Sequence, residues 1–525
     1  MLKELIFYRP RHCEIKIWLS SLTLMMVINL CSDCALAQQE PDLNLQDGAF
    51  SRELIVEYAR ELAQKPFVSN QLDPDDPLRR LSYDEFRKII FRPDASIWRN
   101  ANSLFQIQLF HPGFLATTPV QINVVEKNQS QSWPFSPKAF DYPQDLNLDD
   151  LSGVPGYAGF RLHNPINSDN KFEEFLVFLG ASYFRGIGKN QFYGLSARGL
   201  TINTENDEEF PSFSEFWIER PLPESNYIIV HALLNSPSVT GAFRFKVQPG
   251  SNTAIDVDAH FFPRKDLARV GVAPLTSMFL FDASNQNFFD DYRRAVHDSD
   301  GLLIHKKNGE RVWRPLANPQ KVQVSSFGEG NPNGFGLLQR HQNFRDFEDD
   351  EARYDKRPSL WIEPRGNWGD GSVVLVEIPS RSETNDNVVA YWQPKQGLSG
   401  DRSYHFNYRM TWGLGPPGEN IPGRVVETAT GEPSFGFSGF EEREFVIDFS
   451  GGSTLSNMDS DSIRIEASSS AGKITNMSGT LVQATGDYRV YLKLNAEGVD
   501  LAELRVALEV ADKQWGETWL YRWTR

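Results

Sequence analysis

Beyond Arg92-Pro93 the chain is a long succession of short runs, apolar or alternating, each closed by Gly, Pro, Asn or Asp. Phe105–Phe110, Val120–Val124, Tyr227–Val230, Phe243–Val247, Val373–Ile378, Val388–Trp392 and Tyr404–Met410 each read as a strand. Alternation with period two puts one set of side chains on each face of a sheet, and a sheet with an apolar face must bury it against another layer. Such a series predicts an all-β protein built on a large β-sandwich. Helices are expected only near the start: Phe50 to Lys65, where Phe50, Leu54, Tyr58 and Leu62 recur every four residues, and a second opening at Ser82-Tyr83-Asp84-Glu85, a capping-box pattern.

The run Gly413 to Gly423 holds four Gly and three Pro and reads as a linker. After it the alternation is cleanest: Phe445/Ile447/Phe449, Ile463/Ile465/Ala467, Tyr488/Val490/Leu492/Leu494 and Leu504/Val506/Leu508/Val510. This predicts a smaller immunoglobulin-like β-sandwich over 424–525, without the cysteine pair of antibody domains. The expected organisation is a signal peptide at 1–37, a large β-sandwich carrying any binding or catalytic cleft at 38–412, a linker at 413–423, and the smaller sandwich.

The leader reading rests on Lys3, Arg9, Arg11 and Lys16, the apolar run Ile17 to Leu30, and Ala35-Leu36-Ala37. A basic region, an apolar region too short to span a bilayer, and an A-x-A site describe a secretory signal cut after Ala37. It lacks a twin-arginine pair. All three cysteines, Cys13, Cys31 and Cys34, fall inside it. The mature chain is then cysteine-free, which suits export to a periplasm, with no membrane insertion once the signal is removed. A formal net charge of −16 repels nucleic acid and anionic lipid and favours neutral or cationic partners.

Between the strand-like runs 373–378 and 388–392 lies Arg381-Ser382-Glu383-Thr384-Asn385-Asp386-Asn387, two carboxylates on a short loop beside Tyr391-Trp392. Carboxylates can donate and accept the protons of glycosidic cleavage, and aromatic faces stack on pyranose rings. Such a loop is also what an ordinary hairpin turn looks like. A second acidic cluster, His297-Asp298-Ser299-Asp300-Gly301, offers the partner carboxylate that acetal hydrolysis requires. Asp256, Asp258 and His260 share one face of a strand, but no further ligand is evident nearby, so the stripe reads as the solvent face of a sheet and neither metal nor cofactor is expected. Gly194-Leu195-Ser196-Ala197-Arg198-Gly199 misses the nucleophile-elbow spacing by one residue and lacks its strand-helix context.

At several of these stretches the chain resembles the OpgG/OpgD (MdoG/MdoD) family of periplasmic glucans biosynthesis proteins. The resemblance is carried, in order, by Gly180-Ala181-Ser182-Tyr183-Phe184-Arg185, Tyr193 to Gly199, Phe216-Trp217-Ile218-Glu219-Arg220-Pro221, Ala273 to Phe279, His297-Asp298-Ser299, Trp313-Arg314-Pro315-Leu316, Gly334 to Arg340 and Glu383-Thr384-Asn385-Asp386-Asn387. The missing twin-arginine leader places it nearer the G type. The resemblance implies a galactose-mutarotase-like first sandwich and a role in making osmoregulated periplasmic glucans, whose backbone is β-1,2-linked glucose. It implies inverting hydrolysis with Asp386 as general acid, Asp298 as general base, and Glu383 and Tyr354 arranging water and substrate. On that reading Asp298 is expected to be well solvated and Asp386 to lie under Trp392. Arg185, Tyr193, Trp217, Glu219, Tyr354, Arg357 and Trp392 are the candidate substrate-binding residues. The expected partner is a β-glucan polysaccharide, with the inner-membrane glucan synthase and a second copy of the chain as further candidates. A glucan-binding assembly factor without turnover, or a transglycosylase, would use the same cleft.

Overall fold

The computed structural model describes residues 47–146, 148, 151, 153–417, 421–433, 441–451 and 462–525. The expected leader with its cysteines lies outside them, as does part of the expected linker. Strand accounts for 48% of the structure and helix for 8%, so the protein is all-β. Each alternating run named above lies on a strand; Tyr404–Gly413, Asp487–Asn495 and Leu501–Val510 are among the longest.

Two large sheets face each other. In the first, the antiparallel strands Ser212–Glu219, Ile228–Asn235, Val239–Gln248, Thr253–Pro263, Tyr404–Gly413 and Ser359–Arg365 lie side by side. In the second, Gly371–Glu377, Val388–Pro394, Val270–Ser277 and Glu173–Leu179 are among ten strands. Their inward residues form one aromatic-rich core: Phe178 and Phe184 of the second sheet meet Phe245 of the first at 5.4 and 5.3 Å between ring centroids. Interdigitated rings of this kind hold two sheets in fixed register, because each fills space its neighbours cannot.

Helix Arg52–Ala63, preceded by Ser51, lies on the outer face of the first sheet. Its buried side chains are Ile55, Ala59 and Ala63, one position round from the expected stripe; Leu54, Tyr58 and Leu62 flank the contact. The two alanines allow close approach, and Thr240 donates its hydroxyl to the Ala59 carbonyl at 2.6 Å. The second expected helix is one turn, Tyr83–Phe86, with the capping box formed as its sequence predicts.

The first sheet does not stop at the expected linker. Arg311–Pro315 pairs in parallel with Lys513–Thr524, through Val312 with Thr518 and Trp313 with Trp519, so a single 15-stranded sheet runs on into Leu501–Val510 and Ile463–Ser469. A separate sheet of Val425–Gly431, Glu442–Phe449, Asp487–Asn495 and Lys473–Val482 covers that extension. Strands at the crossing are therefore buried on both faces: Leu302, Ile304 and Leu337 enter the main core, while Leu303, Trp313, Leu338 and Trp361 enter the C-terminal one. Continuous apolar runs such as Leu302-Leu303-Ile304 are what such doubly covered strands require. Arg340 closes the junction with two hydrogen bonds to the buried Glu517, at 2.9 and 2.6 Å, its guanidinium 3.5 Å from the centroid of Trp313.

Candidate active site

The acidic loop joins Gly371–Glu377 to Val388–Pro394, which pair through Glu377 and Val388. Asn387 fixes its end. Its amide side chain donates to the carbonyls of Phe279 and Ile378 at 2.9 and 3.0 Å and accepts from the Phe279 N–H at 2.8 Å, while its own N–H donates to the Ser277 carbonyl at 3.0 Å. The segment carrying Asp298 is tied to the same stretch. The Asp298 N–H donates to the Met278 carbonyl at 2.8 Å, and the hydroxyls of Ser277 and Ser299 lie 2.8 Å apart. Three consecutive residues, Ser277 to Phe279, thus hold both acidic segments, which are nearly ninety positions apart in the chain.

The side chains form a connected polar series. Asp298 pairs with Arg357, whose guanidinium sits 4.2 Å from the centre of the Tyr354 ring. The Tyr354 hydroxyl donates to Glu383 Oε2 at 2.8 Å, and Arg293 Nη1 donates to the same oxygen at 2.7 Å. Three residues further along the loop, Asp386 Oδ2 is 3.6 Å from Arg185 Nη2. Arg185 is itself held by a 2.6 Å hydrogen bond from Nε to Ser196 Oγ. Burial pushes the Tyr354 phenol well above its usual range, so it remains a donor to Glu383. Arg293 also binds Asp291 and Asp349, and its hydrogen bonds to Asp291, Asp349 and Glu383 raise it above the ordinary arginine value against the effect of burial. Gly194 lets Arg357 approach: a Cβ there would stand 2.9 Å from that of Arg357. This accounts for the glycine in a motif that is not a nucleophile elbow.

Asp386, Asp298, Glu383, Tyr354, Arg357 and Arg185 are thus brought into one neighbourhood. The expected solvation of Asp298 is wrong: its side chain is 5% exposed, against 24% for Asp386 and 39% for Glu383. Its charge is balanced by Arg357. Trp392 does not cover Asp386; it is wholly buried between the sheets, packed near Trp368, and offers no face to a ligand. Trp217 is likewise wholly buried, under the N-terminal helix with Phe50 and Leu233, and its strand companion Glu219 bonds His231 at 2.7 Å. Both belong to the outer face of the first sheet, where an aromatic beside a charge marks helix packing. Tyr193 packs against the main core, and burial together with nearby Glu174 raises its phenol well above 10. Sequence reasoning missed Arg293 and the positioning role of Asn387. The first stands four residues before the His297 motif, in Asp290-Asp291-Tyr292-Arg293-Arg294, where two acids followed by two arginines were the available signal.

A family model described as periplasmic glucan biosynthesis protein, MdoG, matches residues 50–523. The chain belongs to that family. Glucans biosynthesis protein G 1 of Shewanella oneidensis is 47% identical over 484 residues, 91% of this chain and 87% of the relative. Glucans biosynthesis protein G of Shewanella sp. MR-7 is 46% identical with the same coverage. The match runs through the 15-stranded sheet into the C-terminal strands, so the G-type resemblance extends to nearly the end of the chain. Among solved structures, a GH36 α-galactosidase from Geobacillus stearothermophilus aligns with a TM-score of 0.25 and 8% identity over 49% of this chain and 39% of its own, a likeness too slight to bear on function. No helix among the described residues is long and apolar enough to cross a membrane.

Proposed function

We propose that this member of the glucan biosynthesis family works in the periplasm on β-1,2-linked glucan, cleaving or processing the backbone by inverting acid/base hydrolysis. The observation that supports this best is the connected series Asp298, Arg357, Tyr354 and Glu383, with Asp386 on the same loop as Glu383. In the proposed reaction Asp386 protonates the departing glycosidic oxygen. Asp298 takes the proton of the attacking water, directly or through intervening water positioned by Glu383 and the Tyr354 hydroxyl. Inversion needs room for that water between acid and base, and separate segments pinned to Ser277–Phe279 can provide a fixed gap.

A second reading, a glucan-binding assembly factor delivering chain to or from the membrane synthase, is favoured by the way Asp298 and Glu383 are each engaged by an arginine. Incubating purified protein with β-1,2-glucan and analysing product length and anomeric form separates the two. Shortened chains whose new ends first carry the α-anomer support hydrolysis with inversion. Saturable binding with an unchanged chain-length distribution supports the assembly factor.

A further inference from the structure

On the outer face of the first sheet, away from the acidic loop, the strand Thr253–Pro263 presents Asp256, Asp258 and His260 as its sequence predicts. The ligand that the sequence did not reveal comes from 145 positions later. Tyr404–Gly413 is the next strand, and its register sets His405 directly opposite His260. Residues two apart on a strand and directly opposed residues on its neighbour share one face within reach of a single ion. The imidazoles of His260 and His405 lie 4.0 Å apart between centroids at an interplanar angle of 13°. Asp258 Oδ1 is 3.0 Å from His405 Nε2 and 3.4 Å from His260 Nε2. One donor atom from each of the three fits within 4.8 Å of the others.

A cation already serves this cluster. Arg52, the first residue of the N-terminal helix, places Nη2 against Asp258 Oδ1 and 3.0 Å from His260 Nε2. Asn407 Nδ2 lies 3.2 Å from His405 Nε2. Asp258 also lines a cleft of about 550 Å³ with Arg244, Asp256, Arg365 and Asn407. Two imidazoles and one carboxylate on adjacent, rigid strands form a nitrogen-rich donor set suited to zinc, nickel or copper(II) and unsuited to magnesium or calcium.

We propose that Asp258, His260 and His405 bind a divalent transition-metal ion, which displaces the Arg52 guanidinium from Asp258 and His260. The site is independent of the acidic loop and of the reaction assigned there. Binding requires neutral imidazoles and an ionised carboxylate, and Arg52 is its built-in competitor.

The test is calorimetric titration of zinc chloride into the purified, metal-stripped protein, alongside Arg52→Gln and the double variant His260→Ala/His405→Ala. One equivalent is expected to bind the parent, at least tenfold more tightly to Arg52→Gln and at least tenfold more weakly to the double variant. Magnesium chloride is expected to give no saturable heat. Cobalt(II) loading provides a second readout, with visible absorption in the parent that the double variant lacks. The proposal is overturned if Arg52→Gln takes up no zinc, or if the double variant, folded by circular dichroism, binds zinc as tightly as the parent.

Discussion

Asp298 and Asp300 stand two residues apart with side chains 5% and 10% exposed, yet each serves a different region. Asp298 turns to Arg357 and the series that ends at the acidic loop. Asp300 turns to the junction with the C-terminal sheet: it accepts from the N–H groups of Arg340 and His341 and from the His341 ring, which also lies 3.3 Å from Glu427. The contrast teaches that one acidic turn carries both a candidate catalytic group and a structural clasp. Their roles differ because of what faces them, an arginine next to a tyrosine in one case and a histidine between two carboxylates in the other.

Neutralising each acid separately should expose that difference. Asp298→Asn is expected to lower the release of reducing ends from β-1,2-glucan by at least about a hundredfold, the scale of a lost general base. Asp300→Asn should leave turnover per folded molecule within about twofold but destabilise the protein by about 3 kcal/mol, because it removes the buried charge that the His341 ring and two backbone N–H groups are paired with. Activity assays paired with thermal or denaturant unfolding check both; equal activity losses in the two variants would merge the regions.

The clasp has a pH signature. The charge of Asp300, opposed by burial, pushes His341 up to about 11, and the histidines hold Asp300 below the usual carboxylate range against its own burial. A raised histidine contributes stability that is complete below its unfolded value of about 6.5 and is lost as pH rises through its folded value. A depressed carboxylate contributes above its unfolded value of about 3.9, with loss on acidification. The melting temperature of His341→Gln should therefore fall furthest below that of the parent between about pH 5 and 6.5. The gap should close gradually towards pH 11 and also below pH 4. A gap independent of pH would show that His341 acts by packing alone. On the site side, Tyr354→Phe should have the smallest effect. It removes one hydrogen bond to Glu383, worth about 1 kcal/mol or roughly fivefold in kcat/KM, with unfolding little changed.

Strand positions were legible because each buried one or both faces in a repeating pattern, and the ordered motifs were enough to place the family. The acidic loop and the Asp298 cluster were legible because acidic residues interrupting apolar strands stand out. Pairing between distant strands was not. Trp217 and Trp392 carried the same local signal as a sugar platform, and only the sheet face each occupies shows that they are core. The parallel seam between Arg311–Pro315 and Lys513–Thr524, and the meeting of His260 with His405, depend on register across long separations that no local period encodes. Arg293 was hidden because its three carboxylate partners lie 2, 56 and 90 positions away.

The most direct measurement on the central claim is reducing-end release from β-1,2-glucan by Asp386→Asn, with glucan affinity and unfolding recorded on the same preparation. The account predicts turnover lowered by at least about a hundredfold, with affinity and stability close to those of the parent. Undiminished release by a folded Asp386→Asn protein would contradict it and remove the acidic loop from the chemistry.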